Sequence, residues 1–181
     1  MPAYVAFLRA INLGARRKFP KADLQRVVES VGTDVQVHLN TGNVLLTSRQ
    51  RSTDAVARTL ERAFAADRGF EVPTVVLTLD ELVSVAAEAD TVAGEAPFVV
   101  AAHYVSFLKE EPSAEAVAAF TARETKGETA VVRGAAVHLL VAEAENYRGA
   151  KLPGAVERDL GVATNRNVTV VRELARRWGG G

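Results

Sequence analysis

From Tyr4 to Thr78 the apolar residues switch between strand and helix spacing in an order that few folds accept. Tyr4 to Ile11 is an apolar run interrupted only by Arg9, with both faces apolar, and reads as a central strand covered on both sides. Pro20 opens a helix carrying Leu24, Val27, Val28 and Val31 on one face, with Gly32 expected at its C-cap. Val35, Val37 and Leu39 then alternate with Gln36, His38 and Asn40, the pattern of a half-buried strand. Asn40-Thr41-Gly42-Asn43 is a turn signal, and Val44 to Thr47 returns as the next strand. Ser52 or Thr53 caps a second helix with Val56, Leu60 and Phe64 on one face and Gly69 at its end, before a fourth strand from Val72 to Thr78. Strand, helix, strand, strand, helix, strand is the ferredoxin-like order, so the expected class is α+β.

Thr78 and Glu81 form a capping box for a trailing helix with Leu82 and Val85, and Ala93 to Pro97 reads as a linker. This divides the chain into a ferredoxin-like part over 1–92 and a second α+β part over 93–181. The second part echoes the first as βαββ: a strand His103–Leu108, a helix from Ser113, and a hairpin over Arg133-Gly134. Asn146 to Pro153 is irregular, Ala155–Leu160 is a short helix, and the last helix spans about 168–178 with Val171, Leu174 and Trp178 on one face. The echo is one of element order, not of residues.

Composition narrows the function classes. With 181 residues the chain can bury a core, and 48% hydrophobic against 6% aromatic residues make that core mostly Val, Leu and Ala. The formal net charge is zero, which argues against a dedicated nucleic-acid binder. Cysteine is absent, which removes disulfides, thiol catalysis and cysteine-ligated zinc. No signal pattern or membrane-length apolar run is present, so the cytoplasm is the default location and no membrane partner is expected. Walker A, dinucleotide, nucleophile-elbow and zincin motifs are all missing. His38, His103 and His138 lack metal spacing and read as strand residues, so no metal site is expected and no cofactor is named. The strand Val44–Thr47 has no aromatic side chain for stacking RNA bases. Charge is nevertheless uneven: both ends are basic and the middle is acidic.

The topology brings polar groups together. In a ferredoxin-like sheet, strand one ends at the same edge as the turn between strands two and three, and strand three is its direct neighbour. Arg9 and Asn12 should therefore lie near Asn40, Gly42 and Asn43, a setting in which guanidinium and carboxamide groups hold a phosphate or carboxylate. Turn chemistry alone also accounts for the asparagines, and an internal carboxylate would equally serve Arg9. A second polar cluster, Thr164-Asn165-Arg166-Asn167, precedes the last helix, where free N–H groups and the helix dipole favour an anion. The competing reading is an Asn N-cap.

These clusters carry a family resemblance. The chain resembles a widespread bacterial family catalogued as a domain of unknown function, number 1697. That family opens with Leu-Arg-Gly-Ile-Asn-Val-Gly-Gly and a Lys soon after, matched by Leu8-Arg9-Ala10-Ile11-Asn12-Leu13-Gly14-Ala15 and Lys18. Its Ser-Gly-Asn hairpin is matched by Thr41-Gly42-Asn43, and its closing Thr-x-Arg-Asn-Trp element by Thr164 to Val168, followed by Thr169 and Val170. Departures are Ala10 and Ala15 for Gly, Thr41 for Ser, and Val168 for Trp. The resemblance implies a two-part α+β fold with a ferredoxin-like portion and supplies no substrate or reaction.

Three functional readings follow. In the first, a small anionic ligand, a nucleotide or phosphorylated metabolite, sits in an Arg/Asn-lined site between the two halves. Its ligand-binding residues would be Arg9, Asn12, Lys18, Asn40, Gly42, Asn43, Asn165, Arg166, Asn167 and Thr169. These positions hold no general base, which favours binding over chemistry and leaves open whether the protein is an enzyme. The second reading is weak, sequence-tolerant nucleic-acid binding through the basic ends. In the third, the motif residues are purely structural.

Overall fold

A computed structural model describes residues 1–14, 17–123, 125–143 and 149–180. Ala15 of the first motif, and residues 146–148 of the stretch read as irregular, lie outside the described residues. The first strand, β1 (Ala3–Leu8), ends before the apolar run does, because Ala10 takes a left-handed backbone (φ 54°) that a strand cannot continue through. Arg9 therefore stands just past the strand. The helix α1 (Lys21–Glu29) begins after Pro20 as expected, but its C-cap is Ser30 rather than Gly32. Gly32 has another constraint: a Cβ there would lie 3.0 Å from Leu46 Cδ1 and 3.1 Å from the Thr47 carbonyl oxygen. The strands β2 (Thr33–His38) and β3 (Asn43–Thr47) follow as an antiparallel pair. Next comes α2 (Thr53–Arg68), started by Ser52 Oγ accepting from Ala55 N at 3.2 Å and ended by Gly69 at φ 73°. β4 (Thr74–Thr78) completes a sheet of order β2-β3-β1-β4, with antiparallel neighbours, as the sequence reading required.

One face of this sheet, with Tyr4, Ala6, Leu8, Val44 and Leu46, packs under Leu24, Val27 and Val28 of α1 and Leu60 and Phe64 of α2. Phe64 meets Phe19 edge to face, with centroids 5.3 Å apart, and both rings are fully buried. Burial on that scale stabilises the unit by about 1.5–3 kcal/mol per side chain.

The helix α3 (Leu79–Gly94) starts with the expected capping box: Thr78 N donates to Glu81 Oε2 at 2.7 Å and Glu81 N to Thr78 Oγ1 at 3.2 Å. The chain divides into two compact units within this helix, Met1–Leu82 and Val83–Gly180. The later turns of α3 carry the reason. Asp90 pairs with Arg172, and Glu95, just past the helix, pairs with Arg133 at 2.6 Å.

The second unit contains β5 (Ala102–Leu108), α4 (Ala114–Thr121), β6 (Glu128–Arg133), β7 (Ala136–Val141), α5 (Leu152–Leu160), β8 (Ala163–Asn167) and α6 (Val168–Trp178). Its sheet order is β6-β7-β5-β8. Leu108, Val137 and Leu139 pack with Phe120 of α4 and Leu152, Val156 and Leu160 of α5. The start of α5 is held by the buried Glu128, whose two carboxylate oxygens accept from Lys151 N and Leu152 N, both at 2.9 Å.

This unit goes beyond a βαββ echo, because β8 completes βαββαβ and a helix follows, as α3 follows β4. The likeness also reaches residue level, contrary to expectation. Tyr4-Val5-Ala6-Phe7-Leu8-Arg9 and Tyr104-Val105-Ser106-Phe107-Leu108-Lys109 run along β1 and β5 to the residue just past each and differ only at Ala6/Ser106 and Arg9/Lys109. Their partners match: Tyr4 pairs with Thr78 and Tyr104 with Asn167, Leu8 with Thr74 and Leu108 with Ala163. Thr78 caps α3 and Asn167 caps α6.

Candidate functional site

In the first unit the exit of β1 and the β2–β3 turn meet as the topology demands. Leu8 N donates to the Gly42 carbonyl at 2.8 Å, and Arg9 N donates to the Pro73 carbonyl at 2.9 Å. Gly42 (φ 75°) has to be glycine here: a Cβ would stand 2.7 Å from Leu8 Cβ and 2.9 Å from Ile11 Cδ1. Asn12 Nδ2 reaches across to the Asn40 carbonyl at 2.7 Å and to the Phe19 carbonyl at 3.2 Å. Its Oδ1 accepts from Phe19 N at 2.9 Å, and its backbone N–H donates to the Arg17 carbonyl at 2.7 Å. Asn12 thus ties Arg17 and Phe19 to the turn. Its left-handed backbone (φ 56°) suits asparagine.

Asn43 is fully buried, and its Nδ2 donates to the His38 carbonyl at 3.0 Å and to Thr41 Oγ1 at 3.1 Å. Both asparagine side chains therefore hold backbone. The loop is pinned from a third side by Arg17, whose guanidinium donates to the Ala10 carbonyl at 2.8 Å and the Glu71 carbonyl at 2.5 Å while lying over the Phe70 ring. Arg17 was absent from the residues singled out in sequence, because neither its spacing nor its neighbours mark it. Lys18 and Asn40 are exposed, and Arg9 is half-buried.

The other predicted residues lie in the second unit. Asn165 Nδ2 donates to Ser106 Oγ at 3.0 Å, joining β8 to β5. Arg166 is buried, and its Nη1 donates to Thr164 Oγ1 at 2.9 Å and the Asn165 carbonyl at 2.7 Å. Burial pulls its guanidinium down to about 10, so it stays charged at neutral pH. Asn167 Oδ1 accepts from Thr169 N at 2.8 Å, the N-cap anticipated as the competing reading. Val168 is buried. The ten predicted residues thus fall in two units: Arg9, Asn12, Lys18, Asn40, Gly42 and Asn43 in one, Asn165 to Asn167 and Thr169 in the other.

Sequence reading also missed a contact between two of the three histidines. His103 Nε2 and His138 Nδ1 are 2.9 Å apart on neighbouring strands. Their separation of 35 positions hides the pairing, but the β5–β7 register reveals it. Among the described residues no cluster of three or more His, Cys, Asp or Glu side chains is arranged to hold a metal ion. Among the same residues no helix is long and apolar enough to cross a membrane.

Comparison with known proteins agrees with this fold. A conserved bacterial protein from Streptococcus pneumoniae of known structure is 21% identical, with a TM-score of 0.77 over 99% of each chain. No curated protein matches the chain. The family described as "Protein of unknown function (DUF1697)" matches over residues 1–138, a span that includes both the Leu8–Ala15 and Thr41–Asn43 motifs and ends before Thr164. The chain belongs to that family.

Proposed function

We propose that the first unit binds a small anionic ligand, of the phosphate-ester or carboxylate type, at the edge where β1 leaves the sheet. The observation behind this reading is the pinned loop. Hydrogen bonds of Asn12 and Arg17 tie Ala10 and Phe19 to the turn and to Glu71, and Arg9 N holds the Pro73 carbonyl, so the cations Arg9 and Lys18 are flanked by a preorganised frame. Ordering that frame in advance lowers the entropy an anion must overcome on binding. In this reading Asn12, Gly42 and Asn43 shape the site and the cations contact the ligand. The positions supply electrostatic positioning and no general base, so binding rather than turnover is the activity proposed.

A second reading is favoured by the same hydrogen bonds: Asn12 and Asn43 hold backbone, so the motif is structural. The two are separated by NMR titration of the full chain with inorganic phosphate, a nucleoside monophosphate and a single-stranded oligonucleotide. Ligand binding predicts saturable shifts at residues 9–18 and 40–43 that vanish in Lys18→Ala while the fold is kept. The structural reading predicts no saturable shift with any probe. Oligonucleotide binding alone, falling steeply with salt, would point instead to nucleic acid.

A further inference from the structure

The second unit holds a buried polar group that the reading above does not use. His103 on β5 and His138 on β7 are 7% and 0% exposed, with Nε2 of the first 2.9 Å from Nδ1 of the second. The remaining ring nitrogen of His138, Nε2, is sealed from solvent and lacks a hydrogen-bond partner, and Glu88 Oε1 on α3 stands 3.7 Å from it. At the matching places the first unit has Ala3 and Leu45, so the fold itself does not ask for histidine there.

Glu88 Oε1, at 3.7 Å, is beyond hydrogen-bond range of His138 but can only accept, which favours the hydrogen of His138 on Nε2, facing Glu88. Neutral His138 then presents a lone pair at Nδ1, and His103 donates to it from Nε2. Nδ1 of His103 is left bare.

We propose that Glu88, His138 and His103 form a carboxylate–imidazole–imidazole chain that takes up one proton as a unit, by coupled tautomer exchange, and makes the contact of α3 with this sheet sensitive to acid. The proton enters at Nδ1 of His103. The hydrogen on Nε2 of His103 crosses to Nδ1 of His138, and the positive charge comes to rest on His138, opposite the Glu88 carboxylate. No electrons are transferred and no heavy-atom bond changes. A second proton would set two N–H groups against each other across 2.9 Å and open the pair.

The surrounding charges act in both directions. Desolvation is the main force holding both imidazoles down to about 4, helped by repulsion from His138 and Arg172 at His103 and from Arg133 at His138. Asp90 on α3 and Glu95 just past it oppose that trend. Arg166 on β8 lies on the same sheet face, with Val105 between it and His138.

Long-range proton–nitrogen NMR on the nitrogen-15-labelled full chain tests this, with His38 assigned from a His38→Gln variant. At pH about 7.5 both His103 and His138 are expected in the Nε2–H form. On acidification one coupled step should turn His103 to Nδ1–H while His138 becomes imidazolium. In Glu88→Gln that step should fall by about one pH unit, a tenfold change in proton concentration. The paired variant His103→Ala with His138→Leu borrows the residues of the first unit and should fold without any such step. An Nδ1–H form at neutral pH, two independent titrations, or an unmoved step in Glu88→Gln would each overturn the proposal.

Discussion

The backbone N–H of Leu8 donates to the carbonyl of Gly42 at 2.8 Å, and this bond fixes the β2–β3 turn against the end of the central strand. The approach is so close that the turn has no room for a side chain at position 42. Gly42→Ala would set a Cβ 2.7 Å from Leu8 Cβ in a left-handed backbone. Strain and overpacking together should cost about 2–4 kcal/mol. A urea midpoint within error of wild type would show that the turn can shift away.

Ala10 is the reverse case. It holds φ 54° where the related motif has glycine, at a cost of about 1–2 kcal/mol for an L residue. Ala10→Gly removes that strain and adds about 0.5–1 kcal/mol of chain entropy to be lost on folding. The expected result is a net gain of roughly 0.5–1 kcal/mol, read as a higher denaturant midpoint at unchanged slope.

Asn12 makes three side-chain hydrogen bonds, to Phe19 N, Phe19 O and Asn40 O. At a net contribution of about 0.5–1.5 kcal/mol each, less some replacement by water at this exposed position, Asn12→Ala should lower stability by about 2 kcal/mol. Asn12→Asp keeps the acceptor for Phe19 N but turns an acceptor-only oxygen toward the Phe19 and Asn40 carbonyls, so its loss should be at least as large. A smaller loss for Asn12→Asp would place the effect on the acceptor side.

Glu128 is the buried carboxylate that satisfies two N–H groups at the start of α5. Glu128→Ala strands both donors and removes a negative charge from the positive end of the helix. A loss of about 2–3 kcal/mol is expected, with faster amide exchange at Lys151 and Leu152 than elsewhere in the helix.

The histidine pair gives stability a pH dependence of definite sign. Both imidazoles are held at about 4 in the fold, below the ordinary value of 6.5, so the unfolded chain binds more protons between those limits. Stability from this source is complete above pH 6.5 and is lost as pH falls toward 4. For the coupled pair the loss is on the order of 3 kcal/mol. Denaturant midpoints at several pH values should show the slope in wild type, and His103→Ala with His138→Leu should flatten it.

Much of the first unit was legible because each signal was local. The capping box at Thr78 and Glu81, the C-cap at Gly69 and the turn at 40–43 depend on residues within a few positions of one another. The meeting of Asn12 with Asn40 was legible one step further, since strand order alone dictates it. β8 was hidden because its alternation is one of burial without hydropathy: the buried positions are Thr164 and Arg166, both polar. Gly32 misled because a glycine packed closely against Leu46 and Thr47 looks, in sequence, like a helix terminator. The roles of Arg17, Glu128 and the histidine pair depend on partners more than fifty, twenty and thirty residues away, and composition carries no trace of them.

The βαββαβα arrangement occurs twice, so the protein supplies its own paired alignment, read in one polypeptide under one set of conditions. Where the copies agree, as at Tyr4 and Tyr104 or Phe7 and Phe107, the architecture sets the residue. Where they part, as at Asn43 and Ala136 or Leu45 and His138, the architecture tolerates both, and the choice was left to whatever each half does alone. A divergent pair is thus a ready-made exchange experiment wherever the backbone conformations agree; at Gly42, whose counterpart is Ala135, the left-handed turn forbids the exchange.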